Sequence, residues 1–349
     1  MLKTAKRWAL FTLAACILVF IVSAAIVYIV DPFEIYRESS ILPLYDQESY
    51  NNPGIVKSYD YDAVILGTSM VEMSNPSVID ECFGVSSVKL PMRGSHTSHM
   101  GWQLSHAFKA QPDLKLAILA VDAYSLMGQP DDHNEIIDYL WNDNVIDDVN
   151  YLLNRDVLLV RVPKMLKNIG KPTDTKRDDM YKWTDVTFAA QSVFDTVTWS
   201  RPGGMMDPEH NISRSTENIE RHLKSQILAH PDTTFLIYTP PYSVGYWYQV
   251  NRLGISEQQF RSRARICELL LDCPNVEIYD YASRIEWITQ LDEYFDYSHH
   301  SEKISNMLMH AMANGENRIT SVEQMWENSQ IIREAVDAFA AEYEPLFLK

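Results

Sequence analysis

Few cysteines and no metal-ligand spacing limit what can hold this chain together. Its 349 residues include four cysteines, and Cys16 lies in an uncharged N-terminal run. The other three, Cys82, Cys267 and Cys273, are an odd number, so a disulfide framework does not organise the fold, although Cys267 and Cys273 could pair. No spacing of cysteine and histidine resembles a zinc site. The sequence therefore predicts no metal and no other cofactor.

Clusters of basic residues are also missing. The chain has 30 lysines and arginines against 47 aspartates and glutamates, a formal net charge of −17. Three basic residues precede the uncharged run, so the remainder carries 27 basic against 47 acidic side chains, a charge of −20. Such a surface repels nucleic acid and anionic lipid, or it serves solubility alone. We expect no nucleic-acid partner.

One long apolar segment is present, residues 8–30, with 23 residues and no charged side chain. About 20 helical residues span the hydrocarbon of a bilayer. Three basic residues precede the run and Asp31 follows it, which predicts a cytoplasmic N-terminus and places residues 31–349 outside the membrane. Small residues at 23–25 would suit a cleaved signal peptide, but the apolar run continues through Val30 and favours an uncleaved single-pass anchor.

Short apolar strands alternate with helices along the rest of the chain, which is typical of α/β proteins. Helical patterns begin near residue 76, at 97–110, 213–229 and 256–271, and after His299. The alternation predicts a parallel, doubly wound sheet. Its five predicted strands are 63–66, 85–90, 114–121, 234–238 and 276–279.

The domain prediction follows this order. A cytoplasmic tip and transmembrane anchor at 1–30 precede a stalk at 31–57, the main domain at 58–320 and a C-terminal helix at 321–349. About 110 residues separate strands three and four, more than one crossover needs, so 125–205 is predicted to be an insertion that covers a site or forms a plain cap. Four apolar residues of the C-terminal helix share a face that we expect to pack on the core: Met325, Ile332, Val336 and Phe339.

Two short strings carry the chemistry. Gly67-Thr68-Ser69 closes the first strand, so Ser69 lies where open α/β sheets bind their ligands. Asp296-Tyr297-Ser298-His299 supplies an acid and an imidazole three residues apart, the pair that a serine needs to become a nucleophile. The strings predict Ser69 as nucleophile, His299 as base and Asp296 as the group that orients the base, with His300 as the rival base. The combination indicates a serine hydrolase or acyltransferase.

These strings resemble the blocks of the SGNH/GDSL hydrolase superfamily. Ile65-Leu66-Gly67-Thr68-Ser69 is similar to its first block, with Thr68 in place of aspartate. Arg93-Gly94-Ser95 is similar to the second block, and Asp296 and His299 are in register with the last. The resemblance implies a flavodoxin-like three-layer sandwich with a five-stranded parallel sheet, a catalytic domain at 58–320, and an oxyanion hole formed by Ser69 and Gly94.

The chain departs from the third block of that superfamily. Ala120-Val121-Asp122-Ala123-Tyr124 stands where the family has Gly-x-Asn-Asp. An ionised Asp122 accepts hydrogen bonds and would repel an oxyanion. Either the amides of Ser69 and Gly94 suffice, or Arg93 or Tyr124 contributes, or activity is weak.

A narrower resemblance is to surface-polymer acylation proteins, among them the D-alanyl-lipoteichoic acid transfer protein and the alginate O-acetylation proteins. It rests on the single anchor, Asp31-Pro32-Phe33 after it, the Gly-x-Ser block and the final Asp-x-x-His. It implies an extracytoplasmic esterase or acyltransferase that acts on O-acetyl or D-alanyl groups of a cell-surface polysaccharide or teichoic acid, beside a membrane-bound O-acyltransferase. The alternative is a non-catalytic assembly factor that binds polymer or such an acyltransferase.

Several further residues are candidates for substrate binding. Arg93 could hold a phosphate or carboxylate of the acceptor or make a structural ion pair. Tyr242, Tyr246 and Trp247 follow strand four and could stack on sugar faces or pack under their own loop. Tyr124, after strand three, is the remaining candidate.

Overall fold

The computed structural model of the protein describes residues 2–199 and 208–347. Three parts of the predicted domains lie outside the described residues. They are residue 1 of the anchor region, residues 200–207, which end the predicted insertion and continue into the main domain, and residues 348–349 of the C-terminal helix.

Along the chain, each strand is preceded and followed by a helix. The α-helices in chain order are α1 (Leu2–Val30), α2 (Glu48–Ser58), α3 (Pro76–Phe83), α4 (Thr97–Ala110), α5 (Ala123–Leu126), α6 (Asp138–Trp141), α7 (Val149–Leu152), α8 (Val162–Leu166), α9 (Lys176–Asp179), α10 (Ala190–Thr196), α11 (Pro208–Asn218), α12 (Ser225–Ala229), α13 (Val244–Arg252), α14 (Ser256–Leu270), α15 (Ile285–Ile288), α16 (Glu302–Ala313) and α17 (Val322–Phe347). Short 3-10 turns cover Ser69–Val71 and Leu291–Glu293, and π-helical turns cover Val157–Arg161 and Ile219–Lys224.

The strands form one mixed sheet. They are β1 (Ala63–Gly67), β2 (Ser87–Pro91), β3 (Leu116–Ala120), β4 (Thr234–Thr239), β5 (Val276–Asp280) and β6 (Arg318–Ile319). Their order across the sheet is β2-β1-β3-β4-β5-β6. The first five pair in parallel, and β6 pairs antiparallel to β5.

The α/β prediction is confirmed, and the predicted number of strands is wrong. Each of the five predicted apolar runs forms a strand of the sheet, because such runs are buried on both faces of a parallel sheet. The structure adds β6 at the edge, so the sheet has six strands within the described residues. A two-residue strand is too short to produce a periodic signal in the sequence.

Helices pack on both faces of the sheet. Successive side chains of a strand point to opposite faces, so Phe235 and Leu236 of β4 lie in different layers. Leu236 belongs to a buried cluster with Ile79 of α3 and Leu308 of α16. Phe235 lies on the other face beside Phe108 of α4, with ring centroids 6.1 Å apart.

The chain divides into two compact units. One contains the described residues of Met1–Tyr59 and Glu135–Lys176, and the other those of Asp60–Asn134 and Arg177–Lys349. The sheet belongs to the second unit. The predicted stalk and part of the predicted insertion belong to the first, together with α1. In the second unit, α17 buries the four residues that share its predicted core face.

The helix α1 is long and apolar enough to cross a membrane, and among the described residues it is the one helix that is. It ends at Val30, and the next residue, Asp31, has a φ of +49° that turns the chain away from the helix axis. The Asp31 amide donates to the Val27 carbonyl, and its carboxylate accepts the amides of Ile35 and Tyr36 and the hydroxyl of Tyr151. Asp31 therefore shapes the path of the chain after α1.

A buried ion pair joins β5 to α14. Arg263 Nη2 lies 2.6 Å from Asp280 Oδ2, and both side chains are buried. Burial alone raises the pKa of Asp280, but the Arg263 charge and hydrogen bonds from Thr239, Arg263 and Asn328 outweigh it and hold the pKa below its usual value. The stability that this carboxylate contributes is present above pH about 4, the usual pKa of an aspartate, and is lost as the pH falls through the lower folded-state pKa.

We expect Asp280→Asn to destabilise the protein by about 3–5 kcal/mol, because it leaves the Arg263 charge buried without a counter-charge. The urea midpoint of the full chain measures this. The matched control is Glu268→Gln, which breaks the exposed pair with Arg265 and should shift stability by less than about 1 kcal/mol. Equal effects of the two substitutions would contradict the assigned role of the buried pair.

Candidate active site

Ser69 follows the carboxyl end of β1 and begins a 3-10 turn. β1 lies between β2 and β3, where the strand order reverses, and such points open a crevice for ligands. Gly67 permits the close packing of this turn against β3, because a Cβ on it would lie 2.7 Å from Val71 Cγ1 and 2.8 Å from the Cβ of Ala120. The half-buried Ser69 side chain therefore has a defined position at the edge of the sheet.

The structure brings together the three residues predicted as a triad. Ser69 Oγ lies 2.8 Å from His299 Nε2. His299 Nδ1 lies 2.7 Å from Asp296 Oδ2. A serine hydroxyl, an imidazole and a carboxylate thus form a continuous hydrogen-bonded chain with the spacing that nucleophile activation requires.

Asp296 is fixed by its own loop. Its Oδ1 accepts the amides of Ser298 at 2.7 Å and His299 at 2.8 Å, while Oδ2 faces the imidazole. Burial raises the pKa of Asp296, but the hydrogen bond and charge of His299 and the two amides outweigh it, so the pKa lies below its usual value. The carboxylate is therefore ionised at neutral pH and can stabilise a protonated His299.

Two aromatic rings enclose His299. Phe295 stacks on it, with centroids 5.2 Å apart and ring planes 4° apart. Trp183 meets it edge-on at 4.6 Å and also contacts Phe295 at 4.4 Å. These contacts limit rotation of the imidazole and shield it from water. Sequence reasoning missed both rings; Phe295 directly precedes Asp296, whereas Trp183 lies far from it in sequence and carries no local signal.

If Ser69 and His299 act as the predicted nucleophile and base on a small ester, we expect Trp183→Ala to lower kcat by roughly 10-fold with little change in KM, because a loosened imidazole spends less time aligned with Ser69. Trp183→Phe keeps an edge-on ring and should restore most of kcat. Steady-state kinetics and circular dichroism on both variants measure this. An unchanged kcat in a folded Trp183→Ala protein would contradict a positioning role.

The loop after β4 holds the loop that carries Asp296 and His299. Ser243 Oγ donates to the carbonyl of Tyr297 at 2.5 Å, and the Tyr294 hydroxyl donates to the carbonyl of Pro241 at 2.7 Å. Two side-chain hydrogen bonds therefore fix the loop of His299 to the segment that follows the carboxyl end of β4.

Asp122 has a structural role beside Ser69. Its Oδ2 accepts the hydroxyls of Thr68 at 3.3 Å and Tyr242 at 3.1 Å, and its Oδ1 accepts the Ser125 amide at 2.7 Å. Burial raises the pKa of Asp122, although these hydrogen bonds oppose the shift. The carboxylate thus caps α5 and ties Thr68, the residue before Ser69, to the loop that follows β3. These contacts explain why an aspartate can stand at position 122.

The residues expected to form an oxyanion hole follow two adjacent strands, Ser69 after β1 and Gly94 after β2. Met92, at the end of β2, donates its amide to the Gly67 carbonyl, so the loops that carry Ser69 and Gly94 leave the sheet side by side. Gly94 has a φ of +61°, and its amide donates to no backbone acceptor among the described residues. Ser69 opens a 3-10 turn, where the first amides have no partner within the turn. Gly94 is exposed and Ser69 is half-buried.

Arg93 forms a forked ion pair with the buried Glu72. Its Nε and Nη2 lie 2.6 Å and 3.2 Å from the two carboxylate oxygens. The Arg93 side chain is still 45% exposed, so it offers charge at the surface as well. Tyr124 is also exposed and lies beside His96, with ring centroids 5.6 Å apart.

The aromatic residues after β4 differ in exposure. Tyr242 is buried and stacks on the half-buried Tyr246 at 4.1 Å, which in turn stacks near Tyr297 at 6.2 Å. Trp247 is buried against Phe260, with centroids 5.5 Å apart. Packing under the loop therefore describes Tyr242 and Trp247, and Tyr246 retains surface that a substrate could contact.

His300, the rival base, faces the interior. Its Nδ1 lies 3.2 Å from the Ser301 carbonyl and 3.3 Å from Ser305 Oγ. Burial lowers the pKa of His300 to about 4. The residue that contacts Ser69 is its neighbour His299.

The side chains that could ligate a metal or form a disulfide lie apart in the described part of the chain. No group of three or more histidine, cysteine, aspartate or glutamate side chains there could hold a metal ion. The four cysteines all lie in the described residues and are free thiols, including Cys267 and Cys273.

Comparisons with models of protein families, with curated proteins and with solved structures find no match for the chain.

Proposed function

We propose that the protein is a membrane-anchored serine esterase or acyltransferase of the SGNH type, acting outside the cytoplasm on acyl groups of a cell-surface polymer. The observation that carries this is the hydrogen-bonded chain from Ser69 Oγ through His299 to the Asp296 carboxylate. Its enclosure by Phe295 and Trp183 supports a catalytic role, since a shielded and oriented imidazole is what a general base requires.

The geometry supports a two-step acyl transfer. His299 takes the proton of Ser69 as Oγ attacks the acyl carbonyl carbon, and the amides of Ser69 and Gly94 receive the oxyanion. The intermediate collapses, the donor's alkoxide leaves with the proton from His299, and the acyl group stays on Ser69. His299 then deprotonates water or an acceptor hydroxyl, which attacks the acyl-serine and frees Ser69 with its proton restored.

The sheet also supports the SGNH proposal. The order β2-β1-β3-β4-β5 is the order of flavodoxin-like open sheets, with helices on both faces. Three sequence blocks stand at positions where this superfamily carries function: Ser69 after β1, Gly94 after β2, and Asp296 with His299 after β5. Asp122 replaces the asparagine, and the two amides serve as the proposed oxyanion donors.

The proposed location follows from α1 and its flanking charges. Lys3, Lys6 and Arg7 precede the apolar run, so we infer a cytoplasmic N-terminus and an extracytoplasmic sheet domain. An enzyme held there meets wall and capsule polymers. We propose an O-acetylated or D-alanylated polysaccharide or teichoic acid as substrate, with a membrane-bound O-acyltransferase as partner.

An acyl-transfer assay tests the choice of acceptor. Full-length protein in detergent is given p-nitrophenyl acetate with and without a soluble polysaccharide, and acetylated polymer is measured by mass spectrometry. We expect polymer acetylation that depends on Ser69. Nitrophenol release without acetylated polymer would leave an esterase. Binding of polymer without nitrophenol release would overturn catalysis and favour the assembly factor.

A further inference from the structure

Large apolar side chains outside α1 are exposed to solvent, and many of them cluster in one segment of the chain. Outside α1, 14 large hydrophobic residues of the described chain are exposed, and eight of them fall within residues 145–169. Such clustering marks a contact surface, whereas single exposed apolar residues do not. The eight residues are Val145, Ile146, Val149, Leu153, Leu159, Val160, Leu166 and Ile169.

This segment is attached to the outer end of α1. Val27 of α1 belongs to one buried cluster with Tyr151, Val157 and Val162. Val27 lies three residues before the end of the helix, a rise of about 4.5 Å. The helical turns at 157–166 therefore lie at the level where α1 ends, with their buried side turned to it and their exposed side turned away.

The second half of the segment is basic. Residues 157–171 contain Arg161, Lys164, Lys167 and Lys171 and no acidic residue, in a chain whose formal net charge is −17. The three lysines are exposed, and so are Leu159, Val160, Leu166 and Ile169 of the same stretch of chain. We call these seven side chains the basic apolar face. Exposed leucines among lysines are typical of segments that lie in the interface of an anionic membrane.

Two tyrosines and an arginine lie near the end of α1, close to Val27 in sequence. Tyr28 of α1 and Tyr36 after it have ring centroids 4.7 Å apart. Arg37 lies over the Tyr28 ring at 4.6 Å and donates to the Tyr28 carbonyl at 2.8 Å. Tyrosine and arginine are enriched where a membrane helix meets the headgroups.

We propose that the basic apolar face is a second membrane-binding element, which inserts its apolar side chains into the interface of the bilayer that α1 crosses and holds anionic headgroups with its lysines. The proposal rests on α1 spanning the membrane and on no catalytic role. Its consequence is that the unit containing α1 is held against the bilayer at two places, so it cannot swing freely on a single helix.

Depth measurement on full-length protein tests this. Nitroxide labels are placed by Leu159→Cys and Leu166→Cys in a chain with Cys16, Cys82, Cys267 and Cys273 replaced, reconstituted in vesicles with phosphatidylglycerol. The matched control is Leu228→Cys, a leucine of the other unit that is 61% exposed, as against 62% for Leu159. A label at Val19 reports the depth of α1 itself.

We expect the ratio of collisions with oxygen to collisions with a water-soluble nickel chelate to be several-fold higher at positions 159 and 166 than at 228. A ratio at 159 and 166 equal to that at 228, with position 19 inside the bilayer, would overturn the proposal while leaving the anchor. Low accessibility to both reagents would also overturn it, since it would mean that a second copy of the chain covers the face.

Lipid charge provides the second test. Replacing Lys164, Lys167 and Lys171 with glutamine should lower the oxygen-to-nickel ratio at position 159 in phosphatidylglycerol vesicles and change it little in phosphatidylcholine vesicles. The same ratio before and after the triple substitution in anionic vesicles would overturn the role assigned to the lysines.

Discussion

Ser69→Ala is expected to lower hydrolysis of p-nitrophenyl acetate by at least about 10³-fold, because it removes the atom that forms the acyl intermediate. The Ser69 hydroxyl lies 2.8 Å from His299 Nε2, and alanine, which lacks only this hydroxyl, fits the same half-buried position. The loss should therefore occur in kcat without loss of fold. Initial rates of purified full-length variants measure it.

The control for this substitution is Ser105→Ala. Ser105 lies on α4 and donates to the Trp102 carbonyl of its own helix, away from the proposed chemistry. Its hydrolysis rate should match that of the unsubstituted protein. A Ser69→Ala protein that keeps its circular dichroism spectrum and also its full rate would remove Ser69 from the mechanism.

Asp296→Asn is expected to lower the same rate by about 10³- to 10⁴-fold. The carboxylate accepts Nδ1–H of His299 at 2.7 Å, which leaves Nε2 free to accept the serine proton. An asparagine can present its NH₂ group there, which favours the other tautomer and removes the negative charge that stabilises imidazolium. Because the pKa of Asp296 lies below its usual value, this charge is present throughout the neutral range.

Asp292→Asn is the matched control in the same loop region. Asp292 is exposed, and its Oδ1 accepts the amide of Ala190, at the start of α10. A surface substitution of this kind changes stability by roughly 0.5 kcal/mol or less, so the protein stays folded. Because Asp292 does not contact His299 in the hydrogen bonds described above, we expect a rate within about twofold of the unsubstituted protein. Similar losses for Asp292→Asn and Asp296→Asn would show that the loop as a whole matters, and would remove the specific role of Asp296.

The strands could be predicted because their signal is local. Each of β1 to β5 is an apolar run bounded by turn residues, and burial on both faces of the sheet requires such a run. β6 could not be predicted, since two residues have no period. The grouping of residues 135–176 with the region around α1 was also beyond the sequence, because it depends on contacts such as Tyr151 to Asp31 between distant segments.

The candidate site divides in the same way. Asp296 and His299 are three residues apart on one loop, so the spacing alone suggested their contact. Ser69 was joined to them by the chemistry of a serine, an imidazole and a carboxylate at the two ends of an α/β domain, and the resemblance supported this. The hydrogen bond itself is a long-range feature of the structure. Trp183 left no signal because one aromatic residue in an irregular segment has no pattern to read.

Asp122 shows why a departing motif is hard to interpret from sequence. Its position after β3 suggested a defective oxyanion donor. In the structure, the carboxylate accepts three hydrogen bonds, from Thr68, Tyr242 and Ser125, and so supports the turn that presents Ser69. The residue type is explained by neighbours on two other loops, which the sequence does not bring together.

Location of a covalent adduct tests the central claim most directly. Full-length protein is treated with a fluorophosphonate, digested, and analysed by tandem mass spectrometry. The proposed triad predicts one phosphonylated residue, Ser69, with labelling abolished in Ser69→Ala and strongly slowed in Asp296→Asn. An adduct on a different serine, or none on a folded protein under conditions that label a known serine hydrolase, would contradict it.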